Sequence, residues 1–164
     1  MTVVADSSPL VILTKLQCFE LVRRLFPRLT ISEVHHEVAV AGAGLPGGAE
    51  VAKADWIEVK QLRDQAALAA AQRKYALGAG EMSTILLAKE LGAKPVLVDD
   101  YKARKLAKAE GLEIMGSVGL LETFYLRGYL TDLRTVFRGL LVNDVYIDQR
   151  LLDRRLRALG LPPL

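Results

Sequence analysis

Short apolar runs that do not alternate with polar residues stand between stretches of helical spacing along this chain. That pattern restricts it to a parallel sheet covered by helices. Thr2 to Ala5 is the first such run, and it stops at Asp6. A strand without polar alternation is one buried on both faces. Ser7 or Ser8 followed by Pro9 supplies a cap and a first-turn proline for a helix to about Leu16. The pattern continues with a helix over Glu20 to Phe26, a strand over Leu29 to Ile31, and a helix capped by Ser32 and running to about Val40. Gly42 to Gly48 is rich in glycine, but no Gly-Lys-Ser/Thr follows and it joins no strand to a helix, so it reads as a mobile connection and not a phosphate loop.

Trp56 to Val59 then predicts a strand, and Asp64 to Tyr75 an alanine-rich helix with Leu68, Ala71 and Tyr75 at helical spacing. Gly78-Ala79-Gly80 breaks it, and Glu81 opens a helix to Leu91. Pro95 to Val98 is a strand ending at Asp99, Tyr101 to Glu110 a helix ending at Gly111, and Leu112 to Met115 the last strand. Val118 to Leu126, Arg134 to Leu141 and Asp148 to Leu159 are helical in pattern. The expected fold is therefore α/β, three layers with a small parallel sheet between helices and right-handed crossovers, in a single domain over residues 1–164.

Composition agrees with a packed domain. The chain has 164 residues, 51% of them hydrophobic, with mean hydropathy +0.23, which excludes a disordered polyelectrolyte. A net charge of +3 is too small to prove a polyanion partner. Cys18 is the sole cysteine, so no intrachain disulfide forms, and among Leu16, Phe19 and Leu21 it reads as core packing. A basic leader and a long apolar segment are both missing, so the expected location is the cytoplasm, with no membrane.

Ligands of a parallel sheet sit beyond the carboxyl ends of its strands. Two strands here end in aspartate, and Glu81 opens a helix after a glycine turn. One carboxylate after a strand is more often a cap or turn residue than a ligand. Several that converge repel each other unless they share a cation, and an all-oxygen set suits Mg²⁺ or Mn²⁺.

Val-Val-Ala-Asp-Ser-Ser-Pro-Leu at 3–10, Ile-Ser-Glu-Val-His-His-Glu-Val at 31–38, Gly-Ala-Gly-Glu at 78–81, Val-Leu-Val-Asp-Asp-Tyr-Lys-Ala-Arg at 96–104 and Gly-Ser-Val-Gly-Leu-Leu at 116–121 follow one another in order. Together they resemble the successive signatures of a PIN-like nuclease domain, and more narrowly a prokaryotic PIN-like branch related to the toxins of type II toxin–antitoxin pairs. The resemblance implies a metal-dependent endoribonuclease acting on RNA with Mg²⁺ or Mn²⁺, an antitoxin partner and a homodimer. It assigns Asp6, Glu37, Glu81 and Asp99 as the catalytic, metal-binding acids. Asp100 competes with Asp99 for the fourth place, or caps the helix from Tyr101. Ser117 stands where PIN toxins often carry a further polar or acidic residue, so a fifth carboxylate is missing here. Ser7 either orients Asp6 or a metal-bound water, or caps the next helix.

Lys102 and Arg104 follow the acidic edge on one helix and are the expected substrate-binding cations, although Arg104 has an internal acid as its other option. Lys105 and Lys108 read as solvated. Arg150, Arg154, Arg155 and Arg157 make the last helix cationic, for RNA or for an acidic partner. His35 and His36 point about 100° apart on a helix and cannot both join Glu37 at one ion. Two rivals are a PIN-like scaffold that binds RNA or protein without cutting, and a receiver-like phosphotransfer domain suggested by Val-Leu-Val-Asp-Asp. Too little chain follows Asp100 for the second.

Overall fold

The structure, a computed structural model, describes residues 2–36, 47–143 and 147–164. It divides into two compact units, residues 1–117 and 118–164.

The first unit is built on five parallel strands: β1 (Val3–Ala5), β2 (Leu29–Ser32), β3 (Ile57–Lys60), β4 (Val96–Leu97) and β5 (Ile114–Met115). Their order is β3-β2-β1-β4-β5, with helices on both faces, so the layers are α/β/α. Every residue of the central strand β1 is buried, which is why its sequence shows no alternation. Val4 pairs with Thr30 of β2 on one side and with Val96 of β4 on the other. Leaving β1 the chain goes first to β2 and β3, and later returns to β4 and β5, so the order reverses between β1 and β4. A reversal of that kind opens a crevice at the carboxyl ends of the two strands.

Helices α1 (Ser7–Lys15), α2 (Phe19–Leu25), α3 (Glu33–His35), α4 (Gly48–Lys53), α5 (Gln65–Tyr75), α6 (Ala79–Leu91) and α7 (Tyr101–Ala109) complete this unit. α6 is the central one: it packs on β1, β2 and β4 and carries Met82, Ile85, Leu87 and Ala88 into the core. Leu87 and Ala88 join Val4 and Val96, while Met82 and Ile85 join Val98, Ala103 and Ala107. Full burial of each large side chain contributes about 1.5–3 kcal/mol. α5 buries no residue fully, yet Leu68, Ala71 and Tyr75 pack on the core at the spacing the sequence gives them.

The helix α4 was not expected, because glycine obscures its start. Gly47, its N-cap residue, has φ +86°, and a Cβ there would collide with Thr14 Oγ1 on α1. Glycine is required at this position twice over, for its conformation and for the close approach. The remainder of the glycine-rich connection, residues 42–46, and the expected end of the helix after Ser32 lie outside the described residues.

Three helices follow: α8 (Ser117–Leu126), α9 (Leu133–Val142) and α10 (Gln149–Ala158). In the second unit α9 buries Leu133, Phe137 and Leu140, at i, i+4 and i+7, and α10 buries Leu152 and Leu156. The terminal tail is held by Arg134, which donates to the carbonyls of Pro162 and Pro163, and by Asp153, which accepts from the Leu164 amide at 2.8 Å. Among the described residues no helix is long and apolar enough to cross a membrane.

Candidate active site

Asp6 and Asp99 stand at the crevice between β1 and β4. Asp6 directly follows β1, and its amide donates to Leu97 O at 2.8 Å, continuing the β1–β4 pairing. Its side chain is 1% exposed. Val98 N donates to Met115 O at 3.0 Å, so the chain stays extended up to Asp99. The two carboxylates are near enough that the charge on Asp6 pushes up the pKa of Asp99.

Asp6 occupies the N-cap position of α1, where an aspartate ordinarily has a structural explanation. Its carboxylate makes no cap bond. The aspartates at four other helix starts do: Asp64 accepts from Ala67 N, Asp100 from Ala103 N, Asp132 from Thr135 N and Asp148 from Arg150 N. Asp6 sits at a cap position, buried, without using its side chain as a cap.

Asp99 is held from a different direction. The backbone N–H of Ser117, at the start of α8, donates to Asp99 Oδ1 at 2.7 Å, and the Ser117 hydroxyl donates to Oδ2 in a very short contact. Burial is the largest influence on the Asp99 carboxyl and raises its pKa above the ordinary 3.8. The two Ser117 hydrogen bonds and the Arg104 guanidinium oppose that rise, and Asp6 adds to it. Arg104 Nη1 also donates to Val98 O at 3.0 Å. A Cβ on Gly116 would lie 2.5 Å from Arg104 Nη1 and 2.7 Å from Asp99 Oδ1, so only glycine leaves room for both groups.

The neighbouring aspartates have different surroundings. Asp100 is exposed and caps α7 through Ala103 N at 2.9 Å, while Asp99 turns to the β1–β4 edge. Ser117 supplies two donors to Asp99. Sequence reasoning missed that role; the only signal was a Gly-Ser pair after an apolar run, too common to single out.

Glu81 lies in the first turn of α6 and is half-buried. Its Oε2 would be 2.6 Å from a Cβ on Gly78, so the carboxylate folds back over the helix start, where the helix dipole favours a negative charge. That helix end is tied to the end of β2: Ser83 Oγ donates to Gly80 O at 2.7 Å and lies 2.6 Å from Ser32 Oγ. Lys102 is exposed in the first turn of α7, whereas Arg104 is half-buried and directed inward. Glu37 lies outside the described residues. Among those described, no three His, Cys, Asp or Glu side chains gather closely enough to hold a metal ion. What the described structure brings together is the pair Asp6 and Asp99. Mg²⁺ is commonly held by one or two carboxylates completed by water and substrate phosphate, so an all-oxygen pair at a crevice fits such an ion.

A family model described as a PIN domain matches residues 2–161. None of the curated proteins compared with the chain matches it.

Proposed function

This chain belongs to the PIN-domain family, whose members are in general nucleases, and on that premise we propose that it is a divalent-metal-dependent endoribonuclease. The observation that carries the proposal is Asp6, a buried carboxylate at a cap position that does not cap, beside a second carboxylate at the reversal point of the sheet. Burial of two adjacent acids costs stability, and the capping of a helix end does not account for it.

Asp6 and Asp99 would hold a Mg²⁺ or Mn²⁺ ion directly, with Glu37 and Glu81 ligating it or holding its waters. When bound, such an ion lowers the pKa of a coordinated water and neutralises charge on the phosphate under attack. Ser117 fixes Asp99 in one orientation, so its remaining lone pairs face a constant direction. Arg104 and the Ser117 donors favour the ionised carboxylate against the desolvation that opposes it. Lys102 lies exposed near the approach for an incoming phosphate chain, and Arg104 acts more through Asp99 than on RNA. No side chain serves as nucleophile in this scheme.

Residues 1–164 then act as one nuclease domain, and the cellular role is that of the toxin of a type II toxin–antitoxin pair. The protein would be a cytoplasmic homodimer neutralised by a small antitoxin. Co-expression with the product of the adjacent short reading frame should relieve growth arrest; arrest that persists despite a confirmed complex would sink the toxin role. Ribonuclease activity of the purified chain should require Mg²⁺ or Mn²⁺ and fall at least about a hundredfold in Asp6→Asn, which removes a ligand at constant volume. An Asp6→Asn protein that cuts as fast as wild type would make the activity a contaminant's. A variant and wild type both unable to cut, yet able to bind RNA, would favour a non-catalytic scaffold, to which the Ser117 substitution for an acid lends some support.

A further inference from the structure

The helical C-terminal unit carries its cations in one chemical form. Residues 118–164 contain seven arginines and no lysine, whereas residues 1–117 contain nine lysines and six arginines. Some of the seven hold the unit together. Arg134 anchors the tail, and Arg155 bonds Glu122 in a two-pronged pair, Nε donating at 2.9 Å. Arg150 rests on Asp148, with Nη2–Oδ2 at 2.9 Å and its side chain 88% exposed. Arg154 and Arg157 are exposed and form neither hydrogen bond nor ion pair among the described residues.

Arg150, Arg154 and Arg157 fall at i, i+4 and i+7 of α10. At about 100° per residue they span an arc of roughly 60°, on the side of the helix opposite the buried Leu152 and Leu156. Along the axis they are spaced by about 6 Å and then about 4.5 Å, from the 1.5 Å rise per residue. Like charges at i, i+4 destabilise a helix. One acid, Asp148, bonds the first of the row and attracts Arg154 at longer range, and no hydrogen bond or ion pair among the described residues ties Arg154 or Arg157 to the fold. The positions flanking the row on the helix surface are Asp153 and Ala158, with the 37% exposed Leu151 beyond Ala158; no aromatic residue stands there. A protein-docking face draws its strength from a cluster of aromatic and apolar anchors, and one partly exposed leucine beside the row is not such a cluster. Guanidinium forks suit phosphate oxygens, and without an aromatic platform they engage the backbone and not the bases.

We infer that the Arg150, Arg154 and Arg157 row of α10 is an RNA-binding surface that engages successive backbone phosphates independently of base sequence. The inference rests on the reading of RNA as substrate, but it is tested without cleavage. Binding of a fluorescein-labelled single-stranded RNA to the full chain would be followed by anisotropy in chelator, across a salt series. Three proteins are compared with wild type: Arg154→Glu/Arg157→Glu, Arg154→Lys/Arg157→Lys, and Lys15→Glu/Lys53→Glu, which changes net charge equally elsewhere. The arginine-to-glutamate protein should bind at least about tenfold more weakly, with a log–log salt slope shallower by about 1.4, or about 0.7 for each phosphate that is no longer neutralised. The lysine protein should fall between, since charge remains and the fork is removed. Circular dichroism checks that α10 persists.

Affinity within about twofold of wild type, or an equal loss in the Lys15/Lys53 control, would overturn the inference. So would a loss confined to binding of polyglutamate, which would make the row a docking face for an acidic protein. A protein that binds RNA through the row and yet cuts none with Mg²⁺ leaves this surface standing and removes the nuclease reading, so the two can fail separately.

Discussion

At the carboxyl edge of the sheet Asp6 is buried and Asp99 half-buried, the charge of the first is felt by the second, and Asp99 is held by an amide and a hydroxyl with a guanidinium nearby. In the C-terminal unit two aspartates stand at the surface and do structural work: Asp132 and Asp148 cap α9 and α10, and hydrogen bonds to Thr135 and Arg150 keep both carboxyls below the ordinary range. The same side chain has its pKa raised in one region and lowered in the other. Burial against folding's interest marks a site, whereas a lowered pKa at an exposed helix start marks a cap.

Asp99 and Asp100 put that contrast on adjacent residues, and they offer the largest test of it. Asp99→Asn should lower ribonuclease activity at least about a hundredfold, because a ligand is removed while volume is kept. Asp100→Asn should leave activity within about threefold, since an asparagine caps α7 nearly as well. Equal losses in the two variants, measured as kcat/KM on the same RNA, would erase the distinction between site and cap.

A smaller effect, on stability, sharpens the other side. Asp100→Ala removes a cap bond and should cost about 1 kcal/mol in denaturant unfolding, and Asp148→Ala should lower the unfolding midpoint as well, with activity largely kept in both. If either variant unfolds like wild type, the exposed aspartates are not structural and the comparison fails from the cap side.

How far the sequence revealed this follows from what each residue's role depends on. The strands and helices were legible because β1 lacks alternation and α6, α9 and α10 show helical spacing; boundaries moved by one or two residues, as at β4, where the ladder stops at Leu97 and not Val98. α4 was hidden because Gly47 answers to Thr14, a residue remote in sequence. Asp6 and Asp99 were legible as strand-ending acids, and their neighbourhood follows from the β1–β4 pairing. The choice of Asp99 over Asp100 was not legible, because it depends on the Ser117 amide and hydroxyl, donors that any serine possesses and that only the fold brings into place. For the same reason the inward turn of Arg104 stayed an open alternative until Val98 O was seen to accept from it.

The smallest effect is the most informative in sign. With its pKa raised in the folded protein, Asp99 binds a proton more tightly folded than unfolded. Its contribution therefore favours the fold most at acid pH, below the ordinary carboxylate value of 3.8, and is lost as pH rises through the elevated folded value. Above that value the metal-free protein carries the cost of a buried charge, reduced by the Ser117 bonds and by Arg104, which is why the change is modest. Asparagine has no charge to desolvate and can still accept from the Ser117 amide. In chelator, Asp99→Asn should accordingly melt above wild type at neutral pH, with the lead shrinking as pH is lowered toward 3.8. Added Mg²⁺ or Mn²⁺ should raise wild type by linkage, about 2.7 kcal/mol at a hundred times its Kd, and move the variant much less. Thermal melts across pH, with chelator and with metal, measure both. A variant that melts below wild type throughout would show that Asp99 serves the fold in the same way as Asp132 and Asp148, and that the two regions do not differ.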